Sequence, residues 1–284
     1  MNYNKLKGII FILLAALGFS LMTFFVSLSG DLPTMQKAFF RNFVALIVAS
    51  GALIKAHEKI YVSADNRLSM FLRCLFGTTG LIANFYAVDH LGIADANMLN
   101  KLSPFFAIIL SIFILKEIPS KFDILTTVVA FIGALFIIRP TGSFTAVLPA
   151  LIGLFGGFGA GTAYVFVRKL TNNGTKTPVI VFFFSLFSCI VTLPFFIFNY
   201  HPMSTIQWIY LLLAGVSASL GQFSITTAYK YAPAKEISVF DYTQVIFAAI
   251  LGILFLDQIP AMLSIVGYVI IIGVALIRWH RNLK

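Results

Sequence analysis

Two stretches that match each other half a chain apart decide the fold: FAIILSIFILKEIP at residues 106–119 and FAAILGILFLDQIP at residues 247–260. Eight of the 14 positions are identical without a gap, at an offset of 141 residues in a chain of 284. The same offset aligns further residues of the two halves, which are Ala87 with Ala228, Ile124 with Ile265 and Ala134 with Ala275. Because both stretches end on an ungapped Ile-Pro, the match indicates an internal repeat and not only a shared composition.

The composition predicts that the repeat lies in a membrane. The chain is 60% hydrophobic and 11% charged, whereas soluble domains are roughly a quarter charged. A helix needs about 20 apolar residues to cross the hydrocarbon. On that template the sequence predicts an all-α integral membrane protein with ten transmembrane helices, at residues 7–28, 33–54, 68–89, 93–115, 121–139, 147–168, 178–199, 205–228, 234–256 and 260–279.

The basic residues orient these spans. Fifteen of the 20 Lys and Arg residues fall on one side of the ten-span arrangement, and only Lys37 and Arg139 fall on the other. Short basic loops stay in the cytoplasm, so the N and C termini are both expected there. The net charge of +10 is explained by this pattern, and no nucleic-acid partner is expected.

The repeat and the span count together predict an inverted architecture. Residues 7–140 and 147–280 each hold five predicted spans, and an odd number makes the two copies cross the membrane in opposite directions. Inverted repeats are typical of secondary transporters, which bind their substrate near the midplane between the halves.

Four motifs carry a resemblance to a known family: AFFRNFVAL at 38–46, FYAVDHLGIADANMLNKLSP at 85–104, LFIIRP at 135–140 and FDYTQVIFAAILGILFLDQIP at 240–260. The chain resembles the drug/metabolite transporter superfamily, and within it the EamA-domain transporters, over essentially its whole length. The resemblance implies a ten-helix carrier with a central cavity lined by both halves, for amino acids, nucleotide-like metabolites, amines, organic anions or drugs. Many members end span nine with Gly-Glu, where this chain has Leu256-Asp257.

One lysine lies where a charge is costly. Lys101 is about eight residues inside the predicted span 93–115, and a lysine in hydrocarbon costs several kcal/mol. Asn97, Asn100, Lys101 and Pro104 are spaced by three and four residues, so they are expected on one face of a helix. This face either lines a substrate cavity, or Lys101 is a structural residue that reaches the surface or pairs with a carboxylate.

The matching positions of the second half are also polar. The offset of 141 aligns Asp241 and Tyr242 with Asn100 and Lys101, and Gln244 follows three residues after Asp241. Asp241 is predicted to be the only carboxylate well inside a span. It is interpreted as a proton or cation site, or as a counter-ion of Lys101, or alternatively as a salt bridge or cap near the span's cytoplasmic end.

Further polar residues complete the candidate substrate-binding set. Arg41 is interpreted either as an architectural residue or as a substrate-binding residue. Arg73 is expected to extend to the cytoplasmic surface. Asn84, Tyr164 and Gln222 are weaker candidates, because each could equally make an interhelical hydrogen bond.

The glycines of the predicted span 147–168 are expected to serve helix packing. Gly153, Gly157 and Gly161 lie on one helix face and are interpreted first as a packing surface.

The sequence therefore predicts a multi-pass secondary transporter of the cell membrane for a small polar or charged metabolite. It contains no HExxH zinc motif and no phosphate-binding loop, so no enzyme activity, cofactor or metal is expected. A proton or sodium gradient is the candidate driving force. The expected partners are the small-molecule substrate and the lipid bilayer, with the chain a monomer or homodimer. The alternatives are a membrane scaffold or enzyme subunit, or a channel.

Overall fold

The computed structural model of the protein describes residues 3–114, 120–138, 144–231 and 238–281. These residues form eleven α-helices and two short 3₁₀ helices, Ala64–Asn66 and Ser238–Tyr242, and no strand occurs among them. The α-helices are α1 (Tyr3–Leu28), α2 (Thr34–Ala56), α3 (Arg67–Leu91), α4 (Ile93–Asn100), α5 (Ser103–Ile114), α6 (Lys121–Ile138), α7 (Phe144–Asn172), α8 (Thr177–Phe198), α9 (Thr205–Tyr231), α10 (Thr243–Phe255) and α11 (Met262–Arg281).

Helix length and composition agree with a membrane protein. In the described part of the chain, seven helices are long and apolar enough to cross a membrane, and the segments Ile124–Ile137 and Phe240–Phe255 are shorter apolar helices. Large apolar side chains cover the outside of the bundle, as at Phe198, which is 89% exposed, and Phe113, which is 75% exposed. Such a surface is stable only when lipid is the solvent.

The helices pack in pairs drawn from the two halves of the chain. Helix α1 packs along α9, α3 along α7, α2 along α8, and α6 along α11. Glycines allow the closest approaches. A Cβ atom at Gly18 would lie 2.7 Å from the backbone nitrogen of Gly221, and one at Gly159 would lie 2.8 Å from the Cα of Gly80. Both interfaces therefore depend on small residues, as membrane helix pairs commonly do.

The predicted span 93–115 is not one helix, which corrects the prediction of a single polar face. Helix α4 ends at Asn100, residues 101 and 102 form a turn, and α5 begins at Ser103. Pro104 has no N–H, so the carbonyl of Asn100 has no helical donor and the ladder is interrupted. Tighter bonds replace it, from the N–H of Lys101 to the Met98 carbonyl (3.1 Å) and from the N–H of Leu102 to the Leu99 carbonyl (3.2 Å).

The predicted span 234–256 is also irregular. Residues 238–242 form the 3₁₀ helix, and the regular helix α10 starts only at Thr243. The 3₁₀ helix ends at Tyr242, and the offset of 141 aligns Tyr242 with Lys101, where the predicted span 93–115 is interrupted.

Parts of the charge pattern lie outside the described residues. These are Lys116, the turn at residues 139–142, Lys235, Glu236 and Lys284. The count of ten spans and the cytoplasmic location of both termini remain predictions.

Candidate functional site

A buried ion pair connects the two irregular segments. The Lys101 Nζ donates to Asp241 Oδ2 at 2.5 Å, and the two side chains are only 4% and 5% exposed. The Tyr242 hydroxyl donates to the Lys101 carbonyl at 3.0 Å, which satisfies an acceptor that the broken helix leaves open. Of the interpretations offered for Asp241, the structure supports the counter-ion of Lys101.

Amide and hydroxyl groups extend this pair towards α1. Gln244 Nε2 donates to Asn97 Oδ1 at 2.7 Å, and Asn97 Nδ2 donates to Thr23 Oγ1 at 3.0 Å. The Ser20 hydroxyl donates to the Gln244 carbonyl at 2.8 Å. All four residues are buried, so the hydrogen bonds replace the water that their polar groups lose. Sequence reasoning identified Asn97 and Gln244 but missed Ser20 and Thr23, whose spacing of three places small polar groups on one face of α1.

A second cluster contains two arginines. Arg41 of α2 is 1% exposed and Arg73 of α3 is 4% exposed, so the prediction that Arg73 extends to the surface is wrong. Both guanidinium carbons lie near the ring of Phe184 in α8, at 5.6 Å for Arg41 and 4.1 Å for Arg73. Arg41 donates from Nη1 to Asn42 Oδ1 at 2.6 Å and from Nε to Met22 Sδ at 3.4 Å. Among the described residues, neither arginine forms a salt bridge.

Tyr164 of α7 lies between the two clusters. It lies close enough to Asp241, Arg41 and Arg73 for their charges to act at its hydroxyl, so the ion pair and the arginines border the same polar interior. Within the described ranges, four buried polar atoms have no hydrogen-bond partner: Arg73 Nε, Asn84 Oδ1, Ser185 Oγ and Asp241 Oδ1. Buried polar groups are rarely left unpaired, so the Arg73 Nε–H is a candidate donor and the three oxygens are candidate partners for a ligand or water.

The remaining candidate residues make no hydrogen bond to the network around Lys101 within the described part of the chain. Asn100 is half-buried, and its side chain makes no hydrogen bond to the residues that the structure describes. Gln222 is buried in α9 and lies outside the network around Lys101. Asp95, near the start of the predicted span 93–115, was not among the candidates: it is 9% exposed and accepts hydrogen bonds from Tyr268 (2.5 Å) and Ser264 (3.2 Å) of α11.

The glycine face of α7 packs directly against the broken helix. A Cβ at Gly157 would lie 2.6 Å from the Leu99 carbonyl oxygen, and one at Gly161 would lie 2.5 Å from the Ser103 carbonyl oxygen. A Cβ at Gly153 would lie 3.0 Å from the Cβ of Ala87. The glycines therefore hold α7 against the turn that carries Lys101, as the packing interpretation predicted.

The cysteines are isolated from one another as thiols: Cys74 and Cys189 are free and buried. The portions of the chain described by the structure contain no group of three or more His, Cys, Asp or Glu side chains that could hold a metal ion.

Comparison with known proteins identifies the family. The EamA-like transporter family matches the chain twice, over residues 6–139 and 147–279. The pseudopaline exporter CntI of Pseudomonas aeruginosa is 31% identical over 98% of this chain and 97% of its own length. Human solute carrier family 35 member G1 is 25% identical over 98% of this chain and 81% of its own length.

A likeness in structure agrees with the likeness in sequence. A protein of known crystal structure superposes with a TM-score of 0.73 over 100% of this chain and 99% of its own, at 15% identity, which supports the fold alone. The matched family and the named relatives are transporters and not enzymes. The chain therefore belongs to the EamA-like transporter family of the drug/metabolite transporter superfamily, and it is a multi-pass membrane transporter.

Proposed function

We propose that the protein is a secondary carrier that moves a small polar or charged metabolite across the cell membrane, by alternating access between two inverted repeats. The observation that carries the proposal is the buried ion pair between Lys101 and Asp241, which joins two interrupted membrane segments. Discontinuous helices at matching positions of two halves are the feature by which carriers bind substrates and coupling ions near the midplane.

Contacts between the halves support the inverted repeat. With the offset of 141, Gly18 is equivalent to Gly159, and Gly221 is equivalent to Gly80. The close approach of Gly18 to Gly221 therefore recurs as the close approach of Gly159 to Gly80. In the same way α1 is equivalent to α7, and α9 is equivalent to α3, so the packing of α1 along α9 recurs as the packing of α3 along α7. Lys101 and Tyr242 are related by the offset and touch each other, as residues do when they lie beside a two-fold axis. These contacts favour two units, at residues 7–140 and 147–280, that are related by a two-fold axis. Five spans in each unit would place that axis in the membrane plane.

The ion pair offers a mechanism for coupling to a gradient. A proton on Asp241 would remove its negative charge and release Lys101, so the link between the two interrupted segments would open and close with proton binding. The unpartnered Oδ1 of Asp241 gives the proton a place to bind without breaking an existing hydrogen bond. Sodium is the other candidate coupling ion, and it would bind the same oxygen.

Substrate contacts are proposed for the polar interior between the halves. Tyr242 contacts Lys101, and Tyr164 lies close to both Asp241 and Arg41. Asn97 and Gln244 hydrogen-bond to each other about one turn along the chain from the ion pair, and Asn84 of α3 is buried with an unpartnered oxygen. Gln222 and Asn100 are weaker members of the set, because they are not engaged with the pair. The name of the Pseudomonas aeruginosa relative makes export the direction to test first.

The test is transport by the purified protein in liposomes. A panel of amino acids, nucleotides, amines and organic anions is screened for uptake under imposed proton and sodium gradients. A carrier is expected to accumulate at least one solute in a gradient-dependent, saturable way. Passive, non-saturable flux would favour a channel over a carrier.

The coupling residue is tested in the same liposomes. Asp241→Asn keeps the side-chain shape but cannot bind and release a proton, so it should allow solute exchange while abolishing gradient-driven accumulation. Normal accumulation by Asp241→Asn would contradict the coupling mechanism.

The orientation is tested separately by reporter fusions. A reporter after residue 284 and a reporter in the loop at His201 should lie on opposite sides of the membrane. Finding both reporters on the same side would contradict the ten-span arrangement with cytoplasmic termini.

A further inference from the structure

Two buried arginines of the interior have no counter-ion among the residues that the structure describes. We infer that Arg41 and Arg73 form the site that binds an oxyanion group, a carboxylate or a phosphate, of the transported metabolite. This inference rests on the proposed carrier function and names the chemical class of its substrate.

The first step is charge. Arg41 and Arg73 repel each other electrostatically, and both guanidinium groups lie against one ring, that of Phe184. Two like charges removed from water are stable only if an opposite charge joins them or water reaches them. The arrangement as it stands is therefore suited to binding an anion.

The second step is that three acids whose side chains lie buried or half-buried in the described helices are engaged elsewhere. Asp241 pairs with Lys101, Asp89 pairs with Lys37 at 2.6 Å, and Asp95 accepts hydrogen bonds from α11. The negative charge that balances the arginines is then expected to come from a bound molecule.

The third step is geometry. Phe184 covers one side of the Arg73 guanidinium at 4.1 Å, and Arg73 Nε is buried with no partner. The hydroxyl of Ser185, the residue after Phe184, is 0% exposed and also has no partner. Planar guanidinium groups bind carboxylates and phosphates through paired hydrogen bonds, and a hydroxyl can supply a further donor.

The fourth step is space. A Cβ atom at Gly77, one helical turn after Arg73, would collide with Arg73 Nη1 and would lie 2.9 Å from Cε2 of Phe184. Glycine at this position therefore gives the guanidinium the room it occupies, so Gly77 is a positioning residue for the anion site.

The experiment measures anion binding to the full-length purified protein in detergent at constant ionic strength, as ligand-induced thermal stabilisation. The probes are succinate for the carboxylate arm, glycerol 3-phosphate for the phosphate arm, and putrescine as a cationic comparison. We expect saturable stabilisation by at least one anion and none by putrescine.

Variants then locate the site. Arg73→Gln should weaken binding of that anion by about ten- to a hundredfold, since hydrogen bonds to a charged group are lost. Arg67→Gln removes an exposed guanidinium from the same helix and should bind as the unmodified protein does. If Arg73→Gln does not fold, Arg73→Lys provides the test, because it keeps the charge, loses the planar fork and should weaken binding.

Two outcomes would overturn the inference: no stabilisation by either anion, or anion binding that is unchanged in both Arg73 variants. Transport of putrescine alone, with the same rate in Arg73→Gln, would also overturn it while leaving the carrier function intact. Anion binding without transport of any solute would contradict the carrier function but support the anion site.

Discussion

Lys101 and Arg73 are 3% and 4% exposed, yet the two sites balance their charges in opposite ways. Lys101 has a carboxylate at 2.5 Å, and the surrounding amides and hydroxyls satisfy one another. Arg73 has an aromatic ring and a second arginine near it, and its own Nε lacks a partner.

The two sites differ in where the balancing charge comes from: the protein itself at Lys101, and a bound ligand, as proposed, at Arg73. In the first site the protein supplies both charges, so removal of one creates an unbalanced ion. In the second site the protein supplies charges of one sign, so removal of one relieves repulsion. Substitutions at the two sites should therefore change stability with opposite signs, even though both should impair transport.

The largest expected effect is at the ion pair. Lys101→Met leaves Asp241 buried without a counter-ion and should lower the free energy of unfolding by about 3–5 kcal/mol. Asp241→Asn should destabilise in the same direction, and the double variant should recover much of the loss because neither charge remains. The measurement is chemical denaturation in detergent micelles, and additive losses in the double variant would show that the two residues do not interact.

Transport gives the second readout for the same variants. The double variant should remain inactive although it is stable, since the pair is proposed to open and close during the cycle. A double variant that accumulates solute against a gradient would make the pair purely structural.

A smaller loss is expected at the glycine face of α7. Gly157→Ala places a methyl group 2.6 Å from the Leu99 carbonyl, so the turn before Lys101 has to move, at about 1–3 kcal/mol. Gly51→Ala is the matched control, because a Cβ at this helical position in α2 meets no atom within 4 Å. Equal stability of the two variants in thermal unfolding would show that α7 does not constrain the turn.

The arginine cluster should respond in the opposite direction. In the absence of added anions, Arg73→Met should leave the free energy of unfolding unchanged or raise it by about 1 kcal/mol, because an unbalanced buried charge is removed. The same variant should lose stabilisation by anions. A loss of stability as large as that of Lys101→Met would indicate that a group of the protein neutralises Arg73.

The smallest effect is expected at an exposed ion pair. Lys176 Nζ lies 3.7 Å from Glu58 Oε1, and the side chains are 64% and 36% exposed. Water screens such a pair, so Lys176→Ala should change the free energy of unfolding by less than about 0.5 kcal/mol. A larger change would mean that solvent exposure does not explain why this ion pair contributes less to stability than the buried pair of Lys101 and Asp241.

Much of the site could be predicted from local sequence, but the relations between its residues could not. The match between 106–119 and 247–260 aligned Asp241 and Tyr242 with Asn100 and Lys101, and so identified both as candidate site residues. The spacing of Asn97, Asn100 and Lys101 predicted one continuous helix face, and this was wrong because Pro104 and the Tyr242 hydroxyl stabilise a turn instead. Arg73 was misplaced because distance along a helix from the membrane surface does not indicate which neighbour covers the side chain.

The sequence by itself determined that the protein lies in a membrane and contains a repeat, because hydropathy and self-similarity are properties of the linear chain. It also identified the charged residues that are costly to bury. Only the tertiary structure decided that Lys101 meets Asp241 and that Arg41 and Arg73 meet the same ring, since those contacts join helices that are far apart along the chain. The physical reason is that the energy of a buried charge depends on its spatial neighbours, which a local pattern does not specify.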